Sequence, residues 1–309
     1  MGSIWSQTCS IGRRPPLRGH LKTQAAVVGA GMAGGLTAYA LQQAGLSVVV
    51  LEADRIAGGQ TQNTTAKITS QHGLIYSRLI QSFGEETARR YAKANQDAVR
   101  AYQDLIDVQG ISCDWEERCA YLYGPDVTVL QEEAEAARRL GLPASFTREV
   151  SIPIPHDGAV CFEGQAQFHP LKFLKVLADQ LTIYEQSRVL TAEGDLLTTE
   201  LGSVQAEHIV FACHFPFVNF PGMYFARMHQ ERSYVLALQG GPPVDGMFLG
   251  VGRDTFSLRT YGELLLLGGG GHRTGENTEG GRYDLLRRKA REWFPQSQET
   301  AHWSAQDCM

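Results

Sequence analysis

Between Val27 and Leu51 the chain carries no charged side chain, and the run then meets Glu52. The stretch VVGAGMAGGLTAYALQQAGLSVVVLEADR is long enough to raise the idea of a membrane span, which needs roughly 20 apolar residues. Its residue types argue otherwise. Gly29, Gly31, Gly34 and Gly35 crowd its start, Gln42 and Gln43 sit in its middle, and Gly45 divides it. The pattern predicts a short apolar strand over residues 25–28, a helix over 32–43 and a second buried parallel strand over 46–51, which is a βαβ unit.

Further along, ADRIAGGQTQNTTAKITSQHG reads as a long polar loop. Residues 84–110 predict an amphipathic helix with Tyr91, Ala94, Ala98, Tyr102, Leu105 and Ile106 on one face and Gly110 as its stop. CDWEERCAYLYG alternates like a strand. VTVLQEEAEAARRLG predicts another helix, with Glu135 and Arg139 at i,i+4 spacing. The Pro-rich VSIPIPHDG marks a crossing between domains. Residues 164–182 read as a helix entered through Pro170, TIYEQSRVLT and HIVFACHF as strands, the latter buried. From Gly222 onward RSYVLAL, FSLRTYG and ELLLLGGGG predict a second, antiparallel sheet.

The turn of the first unit, Gly29-Ala30-Gly31-Met32-Ala33-Gly34, is a G-x-G-x-x-G between strand and helix. In such a turn the first glycine permits the bend, the second lets backbone approach a pyrophosphate, and the third lets helix pack on strand. The helix N-terminus then offers N–H groups and a positive dipole end to phosphate. Glu52 closes the second strand 23 residues after Gly29, near the offset for an acid that binds a ribose hydroxyl. An acid there disfavours a 2′-phosphate, and hence NADP.

Composition adds mostly exclusions. At 309 residues the chain is long enough for two domains, and its net charge is −5. No basic, aromatic-interleaved run points to nucleic acid. The N-terminal segment has Arg13, Arg14 and Arg18 but no apolar core behind its start, so it is not a secretory signal, and the cytoplasm is the expected compartment. Six scattered cysteines without a C-x-x-C suit reduced thiols, and nine histidines show no ligand spacing, so no metal is expected.

The residues resemble the FAD-dependent oxidoreductases of the D-amino-acid oxidase and glycine oxidase type. The resemblance is carried by VVGAGMAGGLTAYAL…VVVLEAD, TTAKITSQHG, QFHPLKFLKVLA and HIVFACHFPF. SIWSQTC, FARMHQERSYVLAL and LLLLGGGGHRTGE are similar to the bacterial subgroup in which this module precedes a Rieske iron–sulfur domain. The implied fold is α/β, a Rossmann-like FAD-binding domain interleaved with an α+β substrate domain containing an antiparallel sheet. The expected division is an N-terminal extension over 1–19, the FAD-binding domain over 20–83 and 155–221, and the substrate domain over 84–154 and 222–309. The resemblance implies FAD at Gly29, Ala30, Gly31, Met32, Ala33 and Gly34, with Glu52 and Ala53 at the adenosine ribose. It further places Thr64, Thr65, Ala66 and Lys67 at the phosphates and flavin edge, Val189 at the adenine, and Ala212 beside the nucleotide. The chain ends at HWSAQDCM, before the segment that completes the nucleotide domain in this family, and no Rieske ligand pairs occur; on this resemblance the chain reads as incomplete.

A flavin carries its own redox chemistry, so the protein supplies binding and orientation. Arg259 is a candidate anchor for a substrate carboxylate and His272 a second catalytic candidate beside four glycines. Arg273, Arg232 and His229 are weaker pocket candidates, and a surface ion pair or an ordinary strand position accounts for each of these residues equally well. The expected activity is oxidation of a small amine or amino acid by hydride transfer to flavin. The alternatives are a flavin module exchanging electrons with an iron–sulfur partner or domain, and a nicotinamide-dependent dehydrogenase.

Overall fold

The computed structural model describes residues 2–252, 255–275 and 282–309. Two sheets organise the chain. The six-stranded sheet runs in the order Ile183–Tyr184, Val48–Leu51, Gly19–Val28, Gly202–Phe211, Leu196–Thr198, Thr191–Glu193. Its first four strands are parallel and its last two form an antiparallel extension. Ala25, Ala26, Val27 and Val28 are buried on both faces, as a central parallel strand requires. Register aligns Val28 with both Leu51 and Phe211, so Gly29, Glu52 and Ala212 emerge together at the carboxyl ends of adjacent strands.

Helix Met32–Gln43 follows directly. A Cβ on Gly34 would lie 1.9 Å from the Gly29 carbonyl oxygen, and one on Gly35 would lie 2.5 Å from Leu174 Cδ1. The glycines therefore set how closely the helix rests on its strand and on helix Pro170–Ala178.

The nine-stranded sheet runs Gln298–Cys308, Gln230–Gln239, Leu264–Arg273, Phe256–Tyr261, Met247–Gly250, Glu116–Gly124, Gly158–Gln167, Lys67–Ile68, with Ala144–Thr147 also on Gly158–Gln167. Only Met247–Gly250 against Glu116–Gly124 is parallel among these pairings. Helices Tyr76–Phe83, Glu85–Gln109 and Val127–Arg139 pack together over it, burying Tyr76, Ala88, Ala92, Leu130 and Ala137.

Several boundaries differ from the sequence reading. Residues 158–167, expected in the FAD-binding unit and partly in a helix, form a strand of the larger sheet, as do 67–68. Gly158, Gly164, Gln165 and Gln167 dilute the strand pattern, and the helical period behind Pro170 extends falsely back over them. The strand expected over 182–191 is confined to Ile183–Tyr184, and Phe211, at the end of the strand read as buried, is 42 % exposed. In helix Glu85–Gln109 the buried face is Ala88, Ala92, Gln96, Val99 and Ile106, while Tyr91, Ala94 and Ala98 are exposed. Gln96 explains the rotation: its amide bonds Gly164 O and Gln165, so a polar residue occupies the inner stripe. Glu135 pairs with Arg138, and Arg139 reaches Glu85 instead.

The first 19 residues are no loose extension. Ser3 caps a short helix, Ile4–Thr8, that buries Trp5 completely, and Ile11 and Leu17 are also core residues. Thr8 Oγ1 meets His169 Nε2 at 2.9 Å, while His169 Nδ1 accepts from the Lys172 N–H at 3.3 Å and caps helix Pro170–Ala178. An accepting Nδ1 must be unprotonated, so Nε2 carries the hydrogen and donates to Thr8. Burial first, and then Lys172, push the His169 pKa down to about 4. Below pH 6.5 the unfolded histidine binds protons that the folded one refuses, so the stability it contributes is present above 6.5 and lost as pH falls toward 4. Thermal melts across that window are expected to fall less steeply in His169→Asn, which retains a cap without the titration. Because burial also lowers His72, the difference between the two proteins is the quantity to read.

Candidate dinucleotide and redox site

A cavity of about 760 Å³ opens at the carboxyl ends of the parallel strands. Gly29, Gly31, Met32 and Ala33 line one side, Glu52 and Ala53 another, and Val189 and Ala212 close it. Glu52 Oε2 accepts from Ala30 N at 2.7 Å and Oε1 from Asp54 N at 2.9 Å, which fixes the carboxylate at the cavity wall with lone pairs remaining. Gly29 has φ +108° and a Cβ there would meet the Ala212 carbonyl oxygen at 2.6 Å. Gly31 has ordinary backbone angles, φ −79° and ψ −171°. A Cβ on it would stand 3.3 Å from Thr61 Oγ1, which itself accepts from Met32 N at 2.9 Å. Gly31 is thus dispensable for the turn and needed for the space beside it.

Met32, Gln60 and Thr61 also line a second cavity of about 350 Å³, which continues along Thr64, Thr65, Ala66 and Lys67 to Ser233. Thr65, Ser233 and Val235 in turn line a third, of about 650 Å³, bounded by Ser257, Gly268 and Gly269 of the larger sheet. The three form one path from the helix N-terminus to the face of the antiparallel sheet. A phosphate-binding turn, a ribose acid and an elongated adjoining space are what an extended dinucleotide needs, and these residues fit one. Lys67 Nζ donates to Phe248 O at 2.9 Å, and burial, aided by Arg259, pulls its pKa down to about 7.

All the residues assigned above to the cofactor converge here, with Ala30 and Gly34 buried just behind the cavity wall. The two catalytic candidates do not. Arg259 is 1 % exposed, and its Nη1 donates to Thr65 O at 2.9 Å and Ala66 O at 2.5 Å. Its guanidinium lies over Trp5 and Tyr261, 5.4 and 5.7 Å from the ring centroids. A side chain committed to backbone behind the loop is not open to a substrate carboxylate. His272 turns to the opposite face, where Tyr234 OH meets its Nε2 at 3.0 Å and Tyr234 packs edge-on against Tyr283. Arg232 bonds Ser304 and Gln306, and His229 pairs with Glu231. Arg273 is exposed at the end of its strand. Sequence reasoning missed Arg188, Gln60, Thr61, Ser233 and Asp307 in the cavity walls. None of them has a fixed offset from the glycine turn, so only the fold brings them in. Among the described residues no three His, Cys, Asp or Glu side chains are grouped to hold a metal, and no helix is long and apolar enough to cross a membrane.

Residues 24–308 match the model of the DAO family, FAD dependent oxidoreductase. The chain belongs to this family. It is 33 % identical over 325 residues to a Bacillus subtilis protein described as a Rieske 2Fe-2S iron-sulfur protein, YhfW, an alignment covering 99 % of this chain and 64 % of that one. It is 26 % identical over 202 residues to γ-glutamylputrescine oxidoreductase of Escherichia coli, covering 60 % of this chain and 47 % of the relative. Its fold superposes on glycine oxidase from Geobacillus kaustophilus with a TM-score of 0.70 at 18 % identity, covering 94 % of this chain and 83 % of that structure. The chain thus spans less than two thirds of the length of the curated relatives it matches. Family membership and fold agree with the α/β, FAD-dependent reading of the sequence.

Proposed function

We propose that this chain binds FAD along the three joined cavities and serves an oxidation of a small amine or amino acid. The observation that carries this reading is the continuity of the path, from Gly31 and Glu52, past Thr64–Lys67, to Ser233 and Ser257 on the antiparallel sheet. Bound FAD would supply the hydride acceptor for oxidation at the carbon next to an amine. The residues of the chain do the rest. Gly31 and the helix N-terminus hold the pyrophosphate, Glu52 the adenosine ribose, and the 64–67 loop the flavin edge. Ser233 and Ser257 give the third cavity hydroxyls, and Glu231 places a carboxylate at its wall, a setting suited to an amine nitrogen. The names of γ-glutamylputrescine oxidoreductase and glycine oxidase point to the same substrate classes.

Bleaching of the flavin by one amine or amino acid in an anaerobic screen is the expected result. A flavin that none reduces, yet that a reduced iron–sulfur protein reduces rapidly, would favour the second reading, an electron-transfer module. That reading is supported by the likeness to a protein described as Rieske-type. Free thiols at all six cysteines suit the reducing cytoplasm.

Glu52→Gln is expected to weaken FAD binding by roughly 1.5 to 3 kcal/mol, the scale of a hydrogen bond to a charged group. FMN, which lacks the adenosine half, should bind equally well to both proteins. Equal losses for FAD and FMN in calorimetric titrations would remove Glu52 from the ribose.

A further inference from the structure

Four successive carbonyls in the loop beside the second cavity accept hydrogen bonds from side chains remote in sequence. Trp303 Nε1 donates to Asn63 O at 2.9 Å, and Trp5 Nε1 to Thr64 O at 2.8 Å. Arg259 Nη1 donates to Thr65 O and Ala66 O. Helix Ile4–Thr8, strand Phe256–Tyr261 and strand Gln298–Cys308 therefore grip one short segment between them. Ala66 is held at φ +56°, a left-handed conformation that is costly for a non-glycine residue and persists only where its surroundings enforce it. No carboxylate among the described residues lies within ion-pair distance of Arg259, and its Nε and Nη2 have no hydrogen-bond partner. Burial pulls its pKa down to about 9, so it remains charged at neutral pH. A buried cation so placed is costly, which an ordinary structural contact with two carbonyls does not require.

We propose that Trp5, Arg259 and Trp303 are positioning residues, a clamp that fixes the peptide dipoles of residues 63–67 toward the second cavity and so sets the affinity and reduction potential of the flavin bound there. The proposal rests on the flavin reading above. In a planar trans peptide the C=O and the following N–H point in opposite directions. Holding the carbonyls of 63–66 against the protein therefore turns the N–H groups of 64–67 the other way, toward the wall that Asn63, Thr64, Thr65, Ala66 and Lys67 form. Of these, the Ala66 N–H is bonded to Thr64 Oγ1 at 3.0 Å, which ties that side chain to the same arrangement. Fixed positive dipole ends facing a ring that gains electrons stabilise its reduced form without any reorganisation at the moment of reaction. The N-terminal SIW motif thereby acquires a role: its tryptophan reaches the flavin site from 59 residues away.

Trp5→Phe and Trp303→Phe each keep a ring and remove one N–H donor, and Arg259→Lys keeps a charge on a side chain one bond shorter than the one whose Nη1 donates to both carbonyls. Trp293→Phe, whose ring packs on Phe256 away from the loop, is the control. Each clamp variant is expected to bind FAD about tenfold more weakly and to lower the flavin potential by about 30 mV, a tenfold change for a two-electron couple, with melting temperatures like that of the control. Because the three act on different carbonyls, one that fails to fold leaves two to decide. Potentials and absorption bands equal to wild type in the folded variants, with only the melting temperature lowered, would overturn the clamp while leaving the flavin reading standing. A wild-type protein that takes up no flavin would overturn both.

Discussion

Gly31→Val should yield a folded protein that has lost its flavin. The backbone at Gly31 lies in the extended region open to any residue, and its first added carbon meets only the Thr61 hydroxyl, at 3.3 Å. The γ-methyls of valine would stand in the mouth of the first cavity, where the pyrophosphate must approach bare backbone. A loss of at least a hundredfold in affinity, about 2.8 kcal/mol, is expected, with circular dichroism and melting temperature close to wild type. Gly34→Val is the contrast. There the added carbon would fall 1.9 Å from Gly29 O, helix and strand must separate, and folding itself should fail. Full flavin occupancy in purified Gly31→Val would show that phosphate does not lie against this turn.

The same contrast shows what the sequence makes legible. The βαβ unit is readable because every part of it is local. The glycines have fixed spacing, the apolar runs have strand and helix lengths, and Glu52 follows at a known offset. The antiparallel strands after Gly222 are readable for the same reason. Arg259 shows the limit. Its alternating strand position is evident, but which face it occupies, and that Trp5 and two carbonyls await it there, depends on a fold that joins positions 193 or more apart. Gln96 and Gln165 mislead in the opposite direction. Their polar side chains, buried against each other and against backbone, erase the apolar pattern on which both the helix face and the strand Gly158–Gln167 depend. Trp5 looks like part of a tail because the partners of its ring, Thr64, His169, Arg259 and Tyr261, lie more than 50 positions away.

Glu185 carries the same lesson into energetics, and its replacement should be the most damaging single change outside the glycine turn. It sits just beyond strand Ile183–Tyr184, is 1 % exposed, and accepts from Ile56 N at 2.8 Å and Arg14 N at 2.9 Å while pairing with the Arg55 guanidinium. Its own carbonyl takes the Ser187 hydroxyl, which accepts from Leu17 N. The N-terminal segment, the turn after Glu52 and the end of strand Ile183–Tyr184 thus meet at one carboxylate. Glu185→Ala leaves two backbone N–H groups without their acceptor and the part-exposed Arg55 guanidinium without its partner; an unsatisfied buried donor costs about 1 to 3 kcal/mol, and two together are a large part of a stability of about 5 to 15 kcal/mol. Glu185→Gln, which keeps one carbonyl acceptor, should lose less. Because Ala57 and Gly58 follow Ile56 into the first cavity, FAD affinity should fall with stability in both. Urea unfolding followed alongside flavin titration separates the two effects. A Glu185→Ala protein with an unchanged urea midpoint would mean that water replaces the carboxylate, and that the junction contributes little to holding the cavity in shape.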